Sequence, residues 1–266
     1  MALSYEEIIE LRERLMAEWA GRNGEYDENR QLVDGALWRN DGRFKLPAQE
    51  NRYSIAVNYL LPIAQKHVQM LVGRLPGIQV MPRGTELIDR EHAEKEEGLL
   101  YAAWSLSEAH EVFQRVAWDS FVLRRGLIYY WWDTKTKRAR FKYVTPDDFY
   151  PEFDGDEVYR CLYVHRRNVH ALRRQYPKYA KDIEGGPASE VAQVYKQDTA
   201  HMNQVDFVTV TDYYDIDGNF VRIAGDLVLE SANLGYPEPQ VPFIEFPYQP
   251  TSGWREPPAG VDQIVE

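Results

Sequence analysis

Cysteine is almost absent from this chain. Cys161 is the single thiol among 266 residues, which excludes an internal disulfide framework and any zinc site built from several cysteines. Long apolar runs are missing as well, and the acidic start MALSYEEIIELRERL lacks the basic segment and apolar core of a signal peptide. We therefore expect a protein that is made in the cytosol, stays in a reducing compartment and has no membrane partner.

Positive charge is also scarce. The formal net charge of -11 argues against a protein that grips nucleic acid by neutralising phosphates, although an acidic wall would let duplex DNA slide past as cargo. One dense basic cluster stands out. We expect it to pair with an acidic surface of a neighbouring subunit, with phosphate contact as the alternative. Its members are Arg166, Arg167, Arg173, Arg174 and Lys178.

Catalytic signatures are missing too. The sequence contains no GxSxG, P-loop, GxGxxG or HExxH motif, so acyl transfer, nucleotide hydrolysis, dinucleotide binding and zinc proteolysis lack support. The histidines are scattered: His92 and His110 lie on predicted helices, and His165 and His170 flank a predicted turn. These absences favour a structural protein without catalytic residues, metal or cofactor.

Carboxylates gather in a predicted loop at 147–157 and could supply oxygen ligands for Mg²⁺ or Ca²⁺. Their spacing does not match an EF-hand loop, so we interpret the segment as a solvated turn. A metal-dependent enzyme that uses this acidic loop is one alternative. The residues concerned are Asp147, Asp148, Glu152, Asp154, Asp156 and Glu157.

Aromatic residues dominate a predicted β-hairpin at 127–143. Alternation places Tyr129 and Trp131 on one face and Tyr130 and Trp132 on the other. We expect one face to be buried and the other to contact a neighbouring subunit. The second alternative is a carbohydrate-binding module, or a base-stacking surface, that uses this hairpin together with further tryptophans. Those tryptophans are Trp104, Trp118 and Trp254.

The order of elements predicts an α+β fold, with amphipathic helices packed on mainly antiparallel strands. A capping box formed by Ser4 and Glu7 predicts a helix that ends near Gly21 and Gly24. Irregular chain is expected from 22 to 50. A further helix follows to Gly73, with Ile55, Ile63, Val68 and Leu71 as its apolar spacing. Next come a short strand at 75–84 and a helical stretch at 86–125 that divides at Gly98 or at SLSE. A loop is predicted at 145–157 and a strand at 157–165. Asn168 then caps a helix, and a three-strand meander begins at 205.

Three parts are expected along the chain. Residues 1–50 form an N-terminal helix and irregular arm, and residues 51–258 form an α+β domain with a mobile insertion at about 180–204. Residues 259–266 read as the start of a helix, because Val261, Ile264 and Val265 are apolar at helical spacing.

The later part of the chain contains several distinctive stretches. In order, they are NYLLPIAQKHVQMLVGRLPGIQV, SFVLRRGLIYYWWD, YVTPDDFYPEFDGD, FVTVTDYYDIDGNFVRIAGDLVLE, PQVPFIEFPYQP and PPAGVDQIVE. Together they resemble the portal proteins of tailed phages, most closely those of siphophages. None contains a catalytic signature, and their order and spacing carry the resemblance over residues 51 to the end.

The resemblance implies a structural subunit of a closed ring, a dodecamer, at one capsid vertex of the virion, assembled in the host cytoplasm. It implies partners as well: major capsid and scaffolding proteins, the large terminase subunit, the head-tail adaptor, and double-stranded DNA passing through the channel. The present residues correspond to the wing, the outer part of a subunit. The stem, clip, tunnel loop and crown would follow, so we expect this chain to be the wing portion of a longer protein, with no DNA-contacting residue to assign.

Overall fold

The computed structural model describes residues 3–35, 58–74, 77–185, 207–236, 238–249 and 258–262. Along these ranges five helices are followed by antiparallel strands, with one further helix between the fourth and fifth strands, which confirms the predicted α+β class. The helices are α1 (Tyr5–Glu18), α2 (Ala20–Val33), α3 (Leu60–Val72), α4 (Leu87–Leu106), α5 (Ala109–Val122) and α6 (Val169–Gln175). The strands are β1 (Arg125–Asp133), β2 (Arg138–Val144), β3 (Phe149–Asp154), β4 (Glu157–Asn168), β5 (Phe207–Asp215), β6 (Asn219–Ala224), β7 (Leu227–Asn233) and β8 (Phe243–Pro247).

The chain divides into two compact units, and each is built from two separate stretches. One unit comprises Met1–Ala20 and Asp147–Val241, and the other Gly21–Pro146 and Pro242–Glu266. These boundaries differ from the expected parts 1–50, 51–258 and 259–266. The physical reason is pairing at long range: α1 packs on strands that follow residue 148, and β8 pairs with β1.

The first unit is organised by a five-stranded antiparallel sheet in the order β3-β4-β5-β6-β7. Strands β5, β6 and β7 form the predicted meander, and β4 contains the predicted strand at 157–165. The segment 145–157 was expected to be a loop, and this prediction is wrong over most of its length. Phe149 and Tyr150 are buried and pair with Tyr163 and Leu162, so the chain there forms β3.

Helix α1 covers one face of this sheet. Ser4 and Glu7 form the predicted capping box, in which Ser4 Oγ accepts from the Glu7 amide at 3.4 Å and Glu7 Oε2 accepts from the Ser4 amide at 2.7 Å. The buried residues of α1 are one helical stripe that packs on the sheet. This core contains Ile8, Leu11, Leu15, Tyr150, Leu162, Tyr213, Val221 and Ile223.

The opposite face carries α6, whose N-cap is Asn168 as predicted. The Asn168 side-chain oxygen accepts from the amides of His170 (2.9 Å) and Ala171 (3.2 Å). Ile183 lies at the start of the expected mobile insertion, yet it is buried in the apolar cluster that α6 forms with this face of the sheet. Arg173 donates two hydrogen bonds to the Ile183 carbonyl. The insertion from 186 to 204 lies outside the described residues.

The second unit contains the predicted aromatic hairpin as part of a three-stranded antiparallel sheet in the order β2-β1-β8. Helix α5 packs so closely on β1 that a β-carbon on Gly126 would overlap the carbonyl oxygen of Val116. Beyond α5, a core joins α2, α3 and the residue Val261. Its buried members are Tyr26, Leu32, Val33, Leu60, Ala64, Phe121, Val122, Leu123 and Val261.

Helix α2 corrects one expectation. The predicted first helix ends at Glu18, close to Gly21 as expected, but the irregular chain expected from 22 is wrong up to Val33, since α2 runs through Gly21 and Gly24. Burial of Tyr26 and Val33 outweighs the helix cost of about 1 kcal/mol for each glycine. The rest of the expected irregular segment, 36–50, lies outside the described residues.

Helix α3 begins at Leu60. Its buried side contains Leu60, Ala64 and Val72, whereas Ile63 and Leu71, two residues of the predicted apolar spacing, are exposed. Residue Ile55 lies outside the described part of the chain. The strand expected at 75–84 is not formed in its described portion, 77–84, where a proline without an amide donor interrupts the chain.

The predicted division of the helical chain after 86 is confirmed at SLSE. Helix α4 ends at Leu106, and Glu108 adopts the left-handed backbone conformation (φ 51°) before α5 begins. At the other end, Ala259, Gly260 and Val261 are buried and Asp262 is helical. Residues 263–266, including Ile264 and Val265, lie outside the described residues.

Candidate interaction surface

The six carboxylates of 147–157 do not form one cluster. Asp147 is buried in a 3₁₀ turn, and Glu152 lies on β3 between two arginines. Asp154, Asp156 and Glu157 surround the exposed β3–β4 turn, and Asp148 is half-buried. The segment is therefore a hairpin whose carboxylates are spread over its two ends.

Glu152 is held between two arginines, Arg160 and Arg14. Burial alone would raise the pKa of Glu152, but ion pairs with Arg160 and Arg14 outweigh that effect and lower it below the usual value. Arg14 approaches Glu152 to 2.7 Å. Glu152 therefore joins α1, β3 and β4, which is a structural role.

The histidines are as scattered in space as in sequence. His92 and His170 are exposed, His110 lies 3.3 Å from the Gln114 side-chain nitrogen, and the buried His165 stacks on Tyr163 with ring centroids 4.1 Å apart. Across the described ranges, no three His, Cys, Asp or Glu residues are arranged to hold a metal ion. Cys161 is buried and is not part of a disulfide.

The aromatic hairpin is mostly packed within its own unit. The rings of Tyr129 and Trp131 stack with centroids 5.2 Å apart, and Tyr129 also lies 5.2 Å from Phe243. On the other face Tyr130 is half-buried, whereas Trp132 is 61% exposed. A sugar platform needs several exposed rings, and Trp132 is the most open of these four. Trp104 and Trp118 are half-buried, and Trp254 lies outside the described residues.

Some side chains of the basic cluster are hydrogen-bonded within the chain. Arg173 is bound to the carbonyl of Ile183, and Arg167 donates to the side chain of Gln175 at 3.0 Å. Arg166 is half-buried. Arg174 and Lys178 are exposed, and Lys178 lies 5.2 Å from the ring centroid of Tyr179. The two exposed members are therefore the ones available to an external partner.

The most exposed apolar side chains belong to α3, α4 and the chain between them, and sequence reasoning missed this. Met70 is 78% exposed and Leu99 is 69% exposed. Sequence periodicity finds an apolar face, but it does not show whether a partner within the chain covers that face. We refer to this group as the α3–α4 apolar residues. They are Tyr59, Ile63, Met70, Leu71, Met81, Leu87, Ile88, Leu99, Leu100, Tyr101 and Leu106.

Helix α4 has very little packing of its own. It is 20 residues long, about 30 Å, and Ala93 is its one buried residue. At 100° per residue, Ile88, Leu99 and Leu106 fall on one line along the helix, and all three are exposed. An isolated helix is only marginally stable in water, and most helices are stabilised by burying an apolar face. The arrangement on α4 is typical of a helix that packs against another molecule.

Arg124 fixes the start of the helix at Asp262. Its guanidinium contacts Glu25 Oε2 of α2 at 2.7 Å and Asp262 Oδ2 at 3.3 Å. Asp262 also accepts from the Ala259 amide at 3.0 Å, in the manner of an N-terminal capping residue. The chain at 259–262 is thus held against α2 and α5.

Within the described ranges, none of the helices combines the length and the apolar character needed to cross a membrane. No protein-family model matches the chain, and no curated protein is significantly similar to it. The functional reading therefore depends on the site geometry and on the resemblance of the sequence stretches.

Proposed function

We propose that this chain is the wing portion of a phage portal subunit, a non-enzymatic protein that assembles into a closed ring at one vertex of the capsid. In this role the ring forms the channel for genome packaging and ejection. It docks the terminase and, later, the head-tail adaptor. The virion is then its final location. The proposal is supported by the ordered stretches that resemble portal proteins and by one structural observation.

That observation is the exposure of the α3–α4 apolar residues. A subunit of such a ring offers two different surfaces, one to each neighbour, because a head-to-tail interface joins unlike patches, and the ring closes when the rotation between subunits allows it. Apolar side chains that are unpacked within a chain become buried when such an interface forms. Leu99 and Leu106 on α4 meet this requirement.

The buried start of a helix at 259–262 agrees with the same proposal. In portal proteins, a helix at this point of the order leads from the wing into the stem. Here Gly260 packs on Phe121, and Arg124 ties Asp262 to α2. Such an anchor would transmit force between the outer part of a subunit and the channel.

The test is the assembly state of the complete gene product. Mass photometry and negative-stain microscopy at micromolar concentration should show closed rings, and a stable monomer would contradict the proposal. Replacing Leu99 and Leu106 by Ser should reduce the ring fraction. The matched control is Val228→Thr, which changes a 38% exposed apolar residue in the other unit and should leave the ring fraction unchanged.

A further inference from the structure

The first half of α4 carries a strong and unpaired negative charge. Between Glu86 and Glu97 there are six carboxylates and two basic side chains, a net charge of -4. Glu91, Glu94 and Glu96 are exposed, and no ion pair engages them within the described part of the chain. Exposed Leu87 and Ile88 precede them.

A surface of opposite charge lies in the other unit, on α6 and the turn that follows it. Residues 166 to 185 contain six basic and two acidic side chains, a net charge of +4. Arg174, Lys178 and Lys181 are exposed, and none of these three forms an ion pair with any residue that the structure describes. Equal and opposite net charges make the two surfaces complementary.

We infer that the acidic half of α4 in one subunit docks on the α6 surface of the next subunit, through Glu91 and Glu94, which share one face of the helix, against Arg174 and Lys178. The occupant of the α4 surface is thus a second copy of this chain. This inference rests on the proposed ring and names the two patches that meet in it. Electrostatic complementarity of this kind fixes which surfaces pair and in which register.

Charge reversal tests the pairing directly. One variant carries Glu91→Lys and Glu94→Lys, and the other carries Arg174→Glu and Lys178→Glu. Each variant alone should associate at least about tenfold more weakly than the unchanged protein, because like charges then face each other. Mixed in equal amounts, the two should assemble again, since every junction of an alternating ring joins opposite charges.

The control is a reversal of the same size elsewhere. Lys135 and Lys137 lie in the exposed turn between β1 and β2, and their replacement by Glu changes the net charge as much as the α6 reversal. This control should assemble like the unchanged protein. Thermal midpoints of all variants, each altered only at exposed positions, check that folding is retained.

Crosslinking provides a second measurement that needs no charge reversal. A chain with Glu94→Cys and Arg174→Cys should give intermolecular products with a short bismaleimide. The native Cys161 is buried and should not compete for the reagent. A chain with Glu94→Cys and Lys135→Cys should give none. The inference is overturned if the reversed variants assemble normally, if mixing restores nothing, or if the Glu94 and Arg174 pair does not crosslink while rings form. Absence of rings in the unchanged complete protein instead refutes the proposed function.

Discussion

Gly260 packs directly on the ring of Phe121. A β-carbon at Gly260 would lie 2.5 Å from Cε2 of that ring, and the Gly260 amide donates to the Phe121 carbonyl at 2.9 Å. The ring cannot easily move away, because His67 and Tyr248 contact it with centroid distances of 4.7 and 5.6 Å. Glycine is therefore required where the chain enters the helix at Asp262.

The first prediction concerns this contact. Gly260→Ala should lower the free energy of unfolding by about 1–3 kcal/mol, the usual cost of overpacking a filled core. The matched control is Gly98→Ala in α4, where no atom lies within 4 Å of the added carbon. That change should raise stability by about 0.5–1 kcal/mol. Urea unfolding of both variants measures the difference, and equal effects would contradict the prediction.

The second prediction concerns a buried ion pair on the sheet of the first unit. Arg222 on β6 binds both oxygens of Asp212 on β5, at 2.7 and 2.8 Å, and Asp212 is 1% exposed. Arg222→Met should cost about 3–5 kcal/mol, because it leaves a buried carboxylate without its partner. The double change that adds Asp212→Leu should be less damaging than Arg222→Met alone.

A matched control for that experiment is the exposed pair of Arg14 and Glu152. Arg14 is 56% exposed at its side chain, so Arg14→Ala should cost no more than about 1 kcal/mol. Chemical denaturation of the four proteins separates the two cases. A large loss of stability in Arg14→Ala, or a small loss in Arg222→Met, would show that burial does not distinguish the two ion pairs.

The third prediction concerns acid stability. Burial alone would raise the pKa of Glu152, but Arg160 and Arg14 lower it below its usual value. The folded state therefore binds this proton less readily than the unfolded state. The resulting stability is complete above the unfolded pKa of about 4.3 and is lost as the pH falls through the lower folded pKa.

Glu152→Gln should remove this dependence. The free energy of unfolding, measured from pH 7 to pH 3, should be higher for the unchanged protein than for Glu152→Gln, and this difference should narrow toward acid pH. Glu157→Gln, at an exposed position next to the same turn, should follow the unchanged protein. A gap that stays constant with pH would contradict the assignment of the effect to the Glu152 carboxylate.

The fourth prediction concerns metal ions. Because the carboxylates of 147–157 are spread over a hairpin, millimolar CaCl₂ or MgCl₂ should leave the thermal midpoint where NaCl of equal ionic strength leaves it. Alanine at Asp147, Asp148 and Asp154 should leave assembly largely intact. A concentration-dependent rise in the midpoint that the Asp154 change abolishes would favour the metal-dependent alternative, since ligands that bind the folded state raise its stability.

Local signals made part of the fold predictable. The Ser4 and Glu7 box, the Asn168 cap and the turn of the aromatic hairpin each depend on residues within a few positions of one another. Helix α2 and strand β3 could not be found this way. Tyr26 is helical and buried because distant chain covers it, and Phe149 is in a strand because β4 pairs with it.

The candidate surface was harder to foresee. The apolar residues of α3 are visible in the sequence, but their spacing does not show which of them are buried, and Ile63 and Leu71 are exposed. Periodicity identifies side chains that gain from burial. It does not tell whether the burying partner is another segment of the same chain or a different molecule.

The packing of α1 on the sheet of the first unit has a consequence for synthesis of the protein. Tyr5, just after the start of the chain, donates to Asp226, 221 positions later. During translation α1 therefore leaves the ribosome long before strands β3 to β6 exist, with Ile8, Leu11 and Leu15 still uncovered. Contacts of such sequence separation form late and slowly. In nascent chains of this protein the apolar stripe of α1 should therefore stay exposed until residues beyond 224 have emerged.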